Sequence, residues 1–163
     1  MNHHEPTIKL ILRSVPTLRT AAGLAGDAPE DFDRRAAQHL IEIIRDNPVG
    51  AMRTIADSPE LATLLLSYIE DTFRRWEKIG GNSKHAQRQR NIARRIYVDG
   101  QTVEMVRAEL KVKNTRIVRE ELAEAEAQLA ALLLGADGLL EQIFATTGVQ
   151  LASDGEYVTE GRG

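Results

Sequence analysis

Residues 96–119 read IYVDGQTVEMVRAELKVKNTRIVR, and the polar breaks in this stretch decide the fold. Asp99-Gly100 interrupts one helical run. Thr102 has the chemistry of an N-cap, and Val103, Val106 and Leu110 fall on one face of the short helix that follows. Lys111-Val112-Lys113 is a turn. Asn114 caps a long second helix on which Val118, Leu122, Ala125 and Leu129 recur at spacings of three and four, until Gly135 stops it. Val112 is the informative residue. A plain solvent loop would carry a polar residue there, whereas an apolar one predicts a turn that plugs the gap between two helices. A short helix, a tight turn and a second helix with small polar side chains and arginines in its early turns make the pattern of a helix-turn-helix.

Upstream, Ser83 is the expected cap of a helix that runs to about Val98 and buries Ala86, Ile92, Ala93 and Ile96. The chain has a net charge of −3, but between Arg74 and Arg95 eight basic residues stand against the single acid Glu77. Such separation predicts one electropositive face on an acidic molecule. In that frame Arg88, Arg90, Arg94 and Arg95 are the expected phosphate ligands. No single rotation of the helix points all four at one strand, so two or three make contact. Lys111 and Lys113 flank the turn, and Asn114, Thr115, Arg116 and Arg119 are the residues expected near base edges, being types that hydrogen-bond bases and phosphates. His85 is expected as a phosphate contact or plain surface. Glu120, Glu121, Glu124 and Glu126 crowd the middle of the second helix, where they would repel phosphates, so only its first two turns are expected to read DNA.

The stretch from Arg88 to Leu129 resembles the helix-turn-helix of the sigma-70 region 4 type and looks like phage late-gene activators of the ArpU and Mor families. Tyr97, Asp99, Gly100 and Thr102 match the break before the first helix. Leu110 and Val112 match the apolar pair around the turn, and Val118, Leu122, Ala125 and Leu129 match the buried face of the second helix. Gly80-Gly81 and the apolar helix before them, Leu61 to Trp76, are similar to the Mor arrangement, in which an N-terminal helical region dimerises ahead of a double glycine. The chain departs from the pattern at Arg107, where a small residue is usual, and at Lys111, where glycine often stands. Its second helix reads one residue late, and the Mor-type apolar-proline segment is missing. The resemblance implies a sequence-specific transcription regulator that binds double-stranded DNA as a dimer, with RNA polymerase as a further partner.

The N-terminal half reads as helices throughout. Ile8, Leu12 and Val15 mark a short helix that Pro16 ends or kinks, and Ala22-Gly23-Leu24-Ala25-Gly26 reads as a linker. A helix is expected to start among Asp27, Pro29, Glu30 and Asp31 and to align Phe32, Ala36, Leu40 and Ile43, with Ala37, Ile41 and Ile44 beside them. Asn47-Pro48 closes it, and a short helix over residues 49–56 follows. Ser58-Pro59-Glu60 opens a long helix whose face carries Leu61, Leu64, Leu65, Tyr68, Ile69, Phe73 and Trp76. In a small chain with only 4% aromatic residues, a stripe this apolar is expected to be buried at least partly by a second subunit. Trp76 and Tyr68 are read as core or interface, not as stacking platforms.

The whole is expected to be all-α: a multi-helix domain with an N-terminal helical oligomerisation region (1–80), a helix-turn-helix region (81–135) and a C-terminal helix with a tail (136–163). The last helix begins at Asp137 and holds Leu139, Leu140, Ile143 and Phe144. Residues 149–163 are polar and glycine-rich. Ser153-Asp154-Gly155 could turn a hairpin, but the composition favours disorder.

Cysteine is absent, which excludes disulfides and thiolate metal sites. Met1-Asn2-His3-His4-Glu5-Pro6 lacks the features of a signal peptide, and no segment approaches a membrane span, so the expected location is cytoplasmic. His39 and Glu42 have a metal-like spacing without a second pair. No phosphate-binding glycine loop, nucleophile elbow or carboxylate dyad is present, so neither enzymatic activity nor a cofactor is expected. Two other readings fit the same features: a phage DNA-packaging or assembly protein that uses the motif in a ring, and a helical adaptor with no nucleic-acid role.

Overall fold

A computed structural model describes residues 7–135, together with the backbone pairing of residues 150–151 with 157–158. Among the described residues there are eight α-helices: α1 (Thr7–Arg13), α2 (Val15–Ala22), α3 (Arg34–Asp46), α4 (Pro48–Ala56), α5 (Pro59–Ile79), α6 (Lys84–Ala93), α7 (Val103–Leu110) and α8 (Thr115–Leu134). α6 runs on into a π-helical turn, Arg94–Val98. Gln150–Leu151 pairs antiparallel with Tyr157–Val158, so the tail holds a two-residue ladder where disorder is the compositional expectation. The turn at Ser153-Asp154-Gly155 and the helix expected from Asp137 lie outside the described residues, as do His3 and His4.

The helix starts follow side-chain chemistry. Ser58, Ser83, Thr102 and Asn114 each accept a hydrogen bond from the backbone N–H three residues on. Each satisfies a donor that an α-helix leaves open at its first turn. Two starts differ from expectation. Pro16 does not end a helix but occupies the first turn of α2, where its missing N–H costs nothing, and the break falls at Ser14. α3 begins at Arg34 under an Asp33 cap rather than among residues 27–31. Glu70 of α5 explains the delay, because its carboxylate accepts the Ala28 N–H at 3.1 and 3.2 Å and holds that segment extended against α5. The inward face is that of the residues expected beside the main stripe. Ala37, Leu40, Ile41 and Ile44 are buried, whereas Ile43 is 45% exposed.

α5 is the central helix. It packs on α2, α3, α4 and α8, and Leu65, Tyr68, Ile69, Phe73 and Trp76 are all buried by those neighbours. The chain's own helices cover these side chains, so their burial needs no second subunit. The sequence shows that a wide apolar face must be covered, but not by which partner.

Two aliphatic clusters result. The larger joins α1–α5 to Ala93, Tyr97 and the C-terminal half of α8. The smaller consists of Ile92, Val106, Val112 and Val118, with Ile96, Val103, Leu110, Ile117 and Leu122 packed around it. α8 serves both, its first turns in the small cluster and its later turns in the large one. At its far end Arg45 of α3 donates to the Leu134 carbonyl at 2.5 Å, giving an open helix C-terminus a cation.

Candidate nucleic-acid interface

Val112 sits as its apolar character requires, 7% exposed in the angle between α7 and α8. The turn is made by Lys111, whose φ of 57° makes it the one non-glycine in the left-handed region among the described residues. That conformation lets the Lys111 and Val112 amides cap α7 on the Ala108 and Arg107 carbonyls. The three helices α6, α7 and α8 thus enclose the small cluster and set α8's first turns at the protein surface.

The expected site residues divide into two groups. The α6 arginines are engaged inside the molecule. Arg88 grips Glu121 of α8 with two hydrogen bonds, Nε to Oε2 at 2.7 Å and Nη2 to Oε1 at 2.5 Å. That contact raises the Arg88 guanidinium above its ordinary pKa. Arg90 donates to the Gly81 carbonyl at 2.8 Å. A Cβ on Gly80 would lie 2.5 Å from Arg90 Nη1 and 2.7 Å from the Trp76 carbonyl, so this bracket requires the glycine. Arg94 pairs with Glu77 at 3.1 Å and lies over the Phe73 ring, and Arg95 pairs with Glu109 at 2.7 Å. Arg74 and Arg75 meet Asp71. The electropositive face expected over residues 74–95 is therefore reduced, because Asp71, Glu77, Glu109 and Glu121 pair most of its arginines, while Lys78 and Lys84 stay exposed without a partner among the described residues.

The second group is the turn and the start of α8. Among the described residues, the side chains of Lys111, Lys113 and Arg116 make no hydrogen bond or ion pair, and all three are exposed. Arg119 reaches only the Thr115 hydroxyl, at 3.3 Å. Asn114 spends its side-chain oxygen on the Ile117 N–H, which leaves its amide nitrogen as the group free to donate.

Compared with models of protein families, with characterised proteins and with solved structures, the chain has no match.

The glutamates of α8 are the residues that sequence reasoning misplaces. Glu121 and Glu126 are buried, at 5% and 2% exposure, and face inward. Glu126 accepts from the Tyr97 hydroxyl and lies 3.9 Å from Lys9 Nζ. Glu124 accepts from Gln89, which also takes a hydrogen bond from Gln128 at 3.1 Å. Gln128 in turn accepts from the Trp76 indole at 2.7 Å. His85, expected against phosphate or as plain surface, faces carboxylates instead: Glu121 at 3.3 Å and Glu124 at 3.4 Å. These acids lock α6 and α5 to α8. Only Glu120 stays exposed without such a partner, so the repulsion expected from the row is largely spent inside the molecule. His39 and Glu42 lie 3.6 Å apart on the open surface of α3. No helix described is long and apolar enough to cross a membrane.

Proposed function

We propose that this chain is a transcription regulator that binds double-stranded DNA through α7, its turn and the first two turns of α8. The observation that carries the reading is a packed turn centred on Val112 beside four cations, Lys111, Lys113, Arg116 and Arg119, that have no acidic partner. A protein that leaves its cations open at one helix start while pairing the arginines of the neighbouring helix has a surface suited to phosphates. In this reading Lys111 and Lys113 take the backbone, and Thr115, Arg116 and Arg119 approach base edges. Arg116 and Arg119 are separated by about 60° around the helix, which suits one to the groove floor and the other to its wall. The α6 arginines hold the reading helix in place, with Arg94 and Arg95 near enough to the surface to exchange an acid for a phosphate. The likeness to region 4 of sigma-70 and to late-gene activators supports the same function, with polymerase as a partner. A dimer in this reading uses a surface other than the α5 stripe.

The test is binding to a randomised duplex pool, with selection, over a range of salt. Lys113→Ala is expected to weaken all sequences alike and to reduce the salt slope by roughly one. Arg116→Ala is expected to cost about 1–3 kcal/mol at one position of the selected site and to relax the preference there. Absence of duplex binding by the wild type at low salt overturns the reading and leaves the helical adaptor.

A further inference from the structure

The seam between the two clusters is open on one side. A cleft of about 440 Å³ lies between α1, the start of α2, the π-turn, the start of α7 and α8. Its walls are apolar, from Leu12, Pro16, Val103 and Leu122. Ile96 and Leu122, which line it, pack on both clusters, so the cleft adjoins both cores. Its polar lining comes from Lys9, Arg13, Tyr97, Arg119 and Glu126. Glu126 is buried and already receives the Tyr97 hydroxyl and Lys9, whereas Arg119 has no acidic partner among the described residues. Tyr97 is brought there by the π-turn, an irregularity that is rare in helices and frequent at functional sites. The volume equals that of roughly fifteen liquid waters and falls within the range of small-molecule pockets, which favour such seams.

We propose that this cleft binds a small organic acid, a carboxylate on an apolar body, and that the acid competes with DNA for Arg119. The apolar walls take the body. The carboxylate sits toward Arg119, whose guanidinium fork matches it and whose present hydrogen bond to Thr115 is long and neutral. A cationic ligand is disfavoured because Glu126, the carboxylate among the described lining residues, is already satisfied. Recruiting Arg119 inward removes it from the surface that approaches bases. This second clause rests on the DNA-binding function proposed above, and the first does not.

The experiment is calorimetric titration of the full chain with 4-phenylbutyrate in the absence of DNA, beside 4-phenylbutyramide and inorganic phosphate. Saturable binding by the acid below about 10 mM is expected, with the amide and phosphate at least about tenfold weaker. Arg119→Gln is expected to weaken the acid about tenfold, and Ala123→Phe, which fills the cleft from α8, to abolish binding; thermal unfolding checks that both variants fold. Acid and amide binding alike, phosphate binding as well as the acid, unchanged binding by Ala123→Phe, or no saturation would each overturn the site. A DNA arm then separates the two claims. The acid is expected to weaken duplex binding by the wild type and not by Ala123→Phe. Acid binding without any DNA binding leaves the site standing and sinks the DNA function. Simultaneous, non-competing binding overturns the role of Arg119 as the shared group.

Discussion

The arginines of α6 and its π-turn and the cations around the α7–α8 turn are alike in sequence, and the fold treats them in opposite ways. In α6 and its π-turn, Arg88, Arg90, Arg94 and Arg95 all find oxygen partners within the chain, from Glu121, Gly81, Glu77 and Glu109. At the turn, Lys111, Lys113 and Arg116 find none among the described residues. The difference lies in what faces each group. α6 lies along α8, whose glutamates point back at it, whereas the turn projects past the end of that contact. A charge run along the chain therefore becomes a charged face only where the helix packed against it supplies no counter-charge.

The strongest way to break this contrast is to remove one cation from each group and measure folding. Arg88→Ala leaves the buried Glu121 carboxylate with only His85 facing it, at 3.3 Å, and is expected to lower the unfolding free energy by about 2–3 kcal/mol. That is below the usual cost for a buried pair because Arg88 itself is partly exposed. Arg116→Ala is expected to stay within about 0.5 kcal/mol. Urea denaturation of both variants reads the difference, and equal stability would show that the α6 arginines are as free as those of the turn. Val112→Ala sharpens the other side. Trimming the buried side chain that plugs the turn is expected to cost about 1–2 kcal/mol and to loosen α7 first, as hydrogen exchange at its amides would report. Unchanged protection of α7 would mean that the turn is held by its backbone bonds alone.

How far the sequence carries this picture depends on the kind of signal. The caps are legible because Ser58, Ser83, Thr102 and Asn114 act on their own neighbours, and the amide each one serves lies three residues away. Val112 is legible because an apolar residue in a turn has one explanation. The start of α3 is not, since what delays it is Glu70, far along the chain. Nor are the partners of the α6 arginines, although half of that answer is present. Glu121 lies three residues after Val118 and four before Ala125, both buried, so its phase puts a carboxylate on an apolar face. A carboxylate so placed needs a cation, and the nearest packed helix is the basic one. Counting the glutamates as a row hides this, whereas placing them by helical phase recovers it.

Asp71 tests the contrast at the edge of the basic stretch. Its carboxylate holds Arg34 at 2.6 Å and Arg75 at 3.1 Å, with Arg74 at 3.8 Å. The hydrogen bond from Arg34 is the main cause that holds it below the ordinary carboxylate range, against the opposing effect of partial burial. A carboxyl group lowered in the folded state contributes stability above its unfolded value of about 3.9 and loses it as pH falls through the folded one. Wild-type protein is expected to lose stability below about pH 4 more steeply than Asp71→Asn, by about 1 kcal/mol or less, since Arg34 is half exposed. Parallel urea midpoints between neutral and acid pH decide it, and identical slopes would show that Asp71 does not hold this cluster.

The smallest expected effect is at Lys111 and has two opposed parts. The residue holds a left-handed backbone that costs a side-chain-bearing residue about 1–2 kcal/mol. Glycine removes the strain but gains freedom in the unfolded chain, so Lys111→Gly is expected to stabilise the fold by about 0.5 kcal/mol. The capping bonds at this point are made by the Lys111 and Val112 amides, and glycine keeps both. What it loses is one of the cations that the fold leaves open. If the turn meets phosphate, the same variant is expected to bind DNA more weakly, with a salt slope reduced by roughly one, while melting at a higher temperature. Higher stability with unchanged DNA binding would mean that Lys111 lies outside the contact and that Lys113 and Arg116 carry the turn's share. Lower stability would mean that the lysine side chain holds the turn itself, which would undo the division between paired and open cations at that residue.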